Sequence, residues 1–353
     1  MNVKSKTTAI LTAILAAALY GISSPLSKLL LKSIDPLFLA ALLYLGAGAG
    51  MLVIGGLRRA GGGALNRESG LTRKELPFVA LMILLDIAAP IALLYGLRLT
   101  NAGTAALLGN FEIVATTLFA LLLFREAVGR RLWLAIGLIF LASVLLSFED
   151  ISMVRLSSGA LLVLLATLCW GVENNCTRML SIKDPLQVVV LKGFGSGLGA
   201  LLAASLWGSL RAPLWVILSG LGLGLVAYGL SIFFYVRAQR DLGASRTSVY
   251  YAAAPFIGVL FSWLILGERV TLLFLAALAV MLLGALLAVT EKHHHAHEHQ
   301  ALEHEHRHNH DDGHHDHAHE GEVLGEHSHL HTHEAFTHDH PHHPDAHHRH
   351  GHG

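Results

Sequence analysis

Histidine is absent from the first 292 residues, and the whole chain of 353 holds two cysteines. Charge is scarce as well, at 14% against 53% hydrophobic residues. Each shortage excludes a class of protein. Cys169 and Cys176 are seven positions apart, about 10 Å along one helix, too far to bond each other, so no disulfide scaffold can form. Long apolar runs broken only by short basic loops exclude a soluble domain over residues 1–292. No phosphate-binding glycine loop is visible, which argues against direct ATP coupling. No nucleophile, base or catalytic metal triad stands out in the apolar part, so the chain is not expected to be an enzyme. Nucleic acid is not expected as a partner either.

What is present falls into two unlike parts. Lys+Arg and Asp+Glu balance at 25 each. Residues 1–292 nevertheless carry 23 basic and 13 acidic side chains, whereas residues 293–353 carry all 25 histidines, 12 acids and only Arg307 and Arg349. The second part is too poor in apolar residues to build a core and is expected to be disordered.

A membrane-crossing helix needs about 20 apolar residues. Such stretches fall near 8–29, 36–57, 76–97, 101–124, 131–148, 156–179, 185–207, 213–236, 246–266 and 270–290. They are rich in Leu and Ala and lack period-2 alternation, so they read as helices. The fold expected is an all-α integral membrane protein of ten transmembrane helices. The first stretch loosely fits a secretory signal, with Ala16-Ala17-Ala18 as a cleavage site. A retained helix is the stronger reading, because its sequence is echoed later in the chain. An N-terminus in the cytoplasm puts sixteen basic residues on the inner side against six outside. That is the expected orientation in the cytoplasmic membrane, with both termini inside and the lipid bilayer as the surrounding partner.

The chain matches itself. Tyr20-Gly21 corresponds to Trp170-Gly171, Asp35-Pro36-Leu37 to Asp184-Pro185-Leu186, and Gly46, Gly48 and Gly50 to Gly195, Gly197 and Gly199. Glu126-Ala127-Val128 corresponds to Glu268-Arg269-Val270. Residues 1–148 and 149–292 thus form two five-helix repeats, followed by the tail at 293–353. An odd helix number turns the second repeat upside down. Inverted repeats typify secondary transporters, whose substrate site lies near midplane between the halves.

Two five-helix halves, each with a Glu-containing turn before its last helix, resemble the EamA type of the drug/metabolite transporter superfamily. The matching residues are LGERVT at 266–271 with the preceding Pro255, FREAV at 124–128, and the aromatic-Gly pairs of helices 1 and 6. The resemblance covers about residues 8–290 and implies ten helices around a central cavity. It also implies a small-molecule cargo such as an amino acid, another metabolite or a drug, often exported. The polar run WGVENNCTR at 170–178 departs from the family pattern, and the tail lies outside it.

A charge at midplane costs several kcal/mol alone and should face a cavity or a partner. Asp86 and Glu112 reach roughly the same depth on helices 3 and 4, where two carboxylates sharing a cavity suit proton coupling or cation binding. Glu173 and Lys192 have matching depth on helices 6 and 7 and are expected to pair. Asn174 and Asn175 add groups that are expensive to bury without partners. Trp170 adjoins this run. Asp86, Glu112, Trp170, Glu173, Asn174, Asn175 and Lys192 are the candidate substrate pathway. Cys176 reads as a packing residue, and Glu126 and Glu268 as caps or turn residues.

The tail repeats His-x-His at His297/His299, His304/His306/His308, His317/His319 and His329/His331/His333. Neutral imidazole suits nickel, cobalt, zinc and copper, and such tracts do not select one metal. No cofactor is required, but the tail is expected to bind a divalent transition metal. The function expected is a secondary transporter moving a small metabolite or a divalent transition metal by alternating access. The alternative is a non-transporting membrane metal sensor or metal-storage protein. A homodimer is a possible assembly.

Overall fold

The computed structural model describes residues 3–60, 75–124, 129–150, 155–180, 185–242 and 250–289, and four short strands of the tail. Among the described residues, eight helices are long and apolar enough to cross a membrane. Numbered in chain order, helices 1 to 8 are Thr7–Leu30, Pro36–Leu57, Leu76–Leu99, Ala102–Leu122, Arg130–Ser147, Ser158–Thr177, Leu186–Trp207 and Leu214–Tyr235. Two shorter apolar helices, Ala254–Leu266 and Leu272–Ala288, follow as helices 9 and 10.

The helices are not uniform rods. Helix 4 breaks at Gly109–Asn110 into Ala102–Leu108 and Phe111–Phe124. Across the break the backbone bonds tighten to i→i−3, with Asn110 N–H donating to Leu107 (3.2 Å) and Glu112 N–H to Gly109 (3.1 Å). Helix 8 carries a π-helical turn at Gly224–Leu230, a feature often found at functional sites. Helical residues Tyr250 and Tyr251 and a turn at Ala252–Ala253 precede helix 9. A short antiparallel pair, Phe148–Asp150 with Arg155–Leu156, joins helices 5 and 6.

Helix 2 packs on helix 7, helix 3 on helix 6, helix 1 on helix 8, helix 4 on helices 6 and 9, helix 1 on helix 9, and helix 5 on helix 10. Replacing each helix by its counterpart five places on returns the same set of pairs. That self-mapping is the signature of an approximate two-fold axis between the repeats. The axis passes where helices 2 and 7 cross. There a Cβ on Gly193 would lie 2.6 Å from the Cα of Gly48, so the crossing requires small residues.

In the tail, backbone Leu302–His308 pairs antiparallel with His327–His333, and Ala296–Glu298 with Thr337–Asp339. His299, His317 and His319, named above as metal ligands, lie outside the described residues, as does Glu126.

Candidate functional site

Five helices bring polar side chains to one place in the bundle. Helix 3 supplies Asp86, which is fully buried. Pro90, one turn later, has no N–H to offer the Asp86 carbonyl. Helix 7 supplies Lys192, whose ammonium stands 3.1 Å from Asp86 Oδ2 and 3.0 Å from Glu173 Oε1 of helix 6. The expected Glu173–Lys192 pair is therefore a three-membered cluster with Asp86. Tyr44 of helix 2 donates to Asp86 Oδ1 at 3.0 Å. Thr177 donates to Glu173. Every charge in the cluster thus has a partner, which is the condition for carrying it at this depth.

Glu112 belongs to a neighbouring arrangement. It opens the second half of helix 4, just past the break, and accepts a 2.6 Å hydrogen bond from Asn174 Nδ2. Asn174 also donates to Thr116 Oγ1 at 3.2 Å. Asn175 points the other way and donates to the carbonyls of Thr116 (3.1 Å) and Gly171 (2.8 Å), tying helix 6 to helix 4. Asp86 and Glu112, expected at one depth and to act on each other if close, belong to adjoining arrangements. Each has its own partners, and Glu173 lies within electrostatic reach of both. Helical rise alone matches their depth, but the break in helix 4 sets where Glu112 stands.

Lys192 keeps 16% of its side-chain surface accessible, and Glu112, Asn174 and Thr116 are also only partly buried. Charge within a membrane-spanning segment characteristically faces the bundle interior rather than lipid. A chain of tyrosines borders these groups. Tyr20 lies 6.0 Å from both Tyr228 and Tyr251, ring centre to ring centre, and Tyr44 lies 5.6 Å from Tyr228. The π-helical turn carries Tyr228, and Ser231 just after it meets Tyr251 at 3.3 Å.

Reasoning from sequence missed the roles of Tyr44, Thr116 and Thr177. Nothing in one sequence separates a tyrosine ring that faces a carboxylate from one that packs. Cys176 sits among Val79, Met82, Leu180 and Val188 and is a packing residue. Among the described residues, no group of three His, Cys, Asp or Glu side chains is placed to hold a metal ion.

An all-helical bundle with repeat symmetry and a polar, charged centre defines a membrane transporter. The chain belongs to the EamA-like transporter family, whose model matches residues 7–148 and 157–290. It is 29% identical over 286 residues to an uncharacterized transporter of Methanothermobacter thermautotrophicus, covering 77% of this chain and 83% of that protein. It is 22% identical over 233 residues to the uncharacterized transporter YyaM of Bacillus subtilis, covering 63% of this chain and 75% of that one. A crystal structure at 19% identity shares the fold with a TM-score of 0.56, covering 80% of this chain and 95% of the other. The protein is a multi-pass membrane transporter and not an enzyme.

Proposed function

We propose that the protein is a secondary transporter that moves a small organic solute across the cytoplasmic membrane by alternating access, with ion coupling at the buried carboxylates. The observation that carries this reading is the charge balance at the centre. Asp86, Glu173 and Glu112 are three carboxylates, and Lys192 is the one ammonium among them. Fully ionised, they sum to −2. Asp86 and Glu173 share the lysine, whereas Glu112 has only the neutral Asn174 amide. A proton or a cationic group arriving at Glu112 reduces the imbalance, which is how a coupling site works.

An organic solute is favoured over a metal as cargo for two reasons. The described interior offers no three-ligand metal set. The Lys192 ammonium also repels a divalent cation. The metal reading belongs to the tail instead. His297, His299, His304, His306, His308, His317, His319, His329, His331 and His333 are proposed to bind nickel, cobalt, zinc or copper on the cytoplasmic side. Ten membrane crossings, with both termini inside, complete the proposal.

Uptake into proteoliposomes tests it. A panel of amino acids, amines, nucleosides and the four metals is offered with and without a pH gradient. The proposal expects gradient-sensitive flux of at least one organic solute. Metal flux alone supports metal as the cargo. Metal binding without flux of anything supports the sensor or storage reading.

A further inference from the structure

Glu268 caps a helix, as its place in the sequence suggests, but not one of its own repeat. Its carboxylate oxygens accept hydrogen bonds from the backbone N–H groups of Ala102 (2.6 Å) and Gly103 (2.8 Å), residues 166 and 165 positions away. Gly267, at φ +62°, supplies the left-handed turn that ends helix 9 and lets Glu268 reach back. A Cβ on Gly103 would lie 3.3 Å from Glu268 Oε2, so the contact is close-fitted. Lys28 grips the same loop from its other side, donating to the carbonyls of Leu97 and Thr100. Glu268 is within electrostatic reach of Lys28. Beside this contact opens a cavity of about 370 Å³, with Lys28, Arg98, Thr104 and Thr271 in its wall.

The half-helix so held, Ala102–Leu108, is the first piece of broken helix 4. Its C-terminal end is the Gly109–Asn110 joint, and Glu112 follows two residues later. A charge-assisted cap between repeats therefore fixes one end of a segment whose other end adjoins the proposed coupling carboxylate.

We propose that Glu268 is a positioning residue of the transport cycle. It clamps the half-helix Ala102–Leu108 against the second repeat while the outer mouth is closed. Loss of the two bonds lets that segment tilt about Gly109–Asn110 and opens the cavity toward Glu112. The inference rests on the alternating-access reading. It adds the element that moves.

The test uses the full chain in detergent, with Thr104→Cys as a reporter in the cavity wall and a maleimide as probe. Cys176, buried near the opposite end of helix 6, is the internal reference. Losing a charge-assisted cap is expected to raise the labelling rate at position 104 about tenfold in Glu268→Gln. Cys176 labelling stays unchanged. Glu268→Asp, which keeps the charge, gives an intermediate rate, and Gly103→Ala raises the rate without altering any charge. Unchanged labelling in folded Glu268→Gln and Gly103→Ala overturns the proposal. So does an equal rise at Cys176, which marks general loosening. If Glu268→Gln does not fold, Gly103→Ala decides by the same criterion. Flux in proteoliposomes is read separately. A chain that transports while its labelling stays unchanged loses the clamp but keeps the transporter.

Discussion

The Lys192 ammonium lies 3.0 Å from the Glu173 carboxylate, and the same nitrogen lies 3.1 Å from Asp86 on a third helix. One cation thus joins helix 3 of the first repeat to helices 6 and 7 of the second. The fold and the charge centre are therefore one problem, since helix 7, which crosses helix 2 at the two-fold axis, also carries Lys192.

Removing the cation should be worse than removing the whole cluster. Lys192→Met strands two buried carboxylates and is expected to cost about 3–5 kcal/mol, while the triple change with Asp86→Asn and Glu173→Gln recovers much of that loss. Thermal unfolding in detergent, followed by tryptophan fluorescence, gives the order. Transport should stay absent in both variants, which separates stability from activity.

Glu112→Gln should spare the fold. A glutamine can still accept from Asn174, so the expected stability loss is about 1 kcal/mol or less. Coupled flux should fall to background. The pair of readings, unfolding temperature and flux, marks Glu112 as functional rather than structural.

The crossing of helices 2 and 7 depends on missing side chains. Gly193→Ala puts a methyl 2.6 Å from the Gly48 Cα and is expected to cost about 1–3 kcal/mol through overpacking. Gly137→Ala, whose added carbon meets nothing within 4 Å, is the control and should be neutral or mildly stabilising. Paired unfolding curves check the difference.

The tail should bind metal as neutral imidazole. Binding is then full above the imidazole pKa of about 6.5 and is lost as pH falls through it, because protons compete for the same nitrogens. Calorimetric titration with nickel at two pH values reads this directly. A chain ending at Lys292 should bind no nickel yet keep its flux.

Much of this architecture was legible in the residues. Helix-length apolar runs and the echo of Asp35-Pro36-Leu37 in Asp184-Pro185-Leu186 lead to a repeated helical membrane fold. The equal depth of Glu173 and Lys192 leads to their pairing. The rest depends on rotation about helix axes and on breaks, which a periodic pattern does not encode. Asp86 joins Lys192 rather than Glu112 because of how helices 3 and 7 face each other. The Tyr44 hydroxyl meets Asp86 for the same reason, through the facing of helices 2 and 3. Glu268 was legible as a cap, but not that the capped helix lies in the other repeat.

The most direct test of the central claim is solute-driven flux in proteoliposomes for Glu112→Gln, compared with the parent chain and with Arg211→Gln, an exposed residue away from the centre. The account predicts background flux for Glu112→Gln at unchanged folding, and parental flux for Arg211→Gln. Undiminished gradient-driven flux in folded Glu112→Gln would contradict it and remove the buried carboxylate from the transport path.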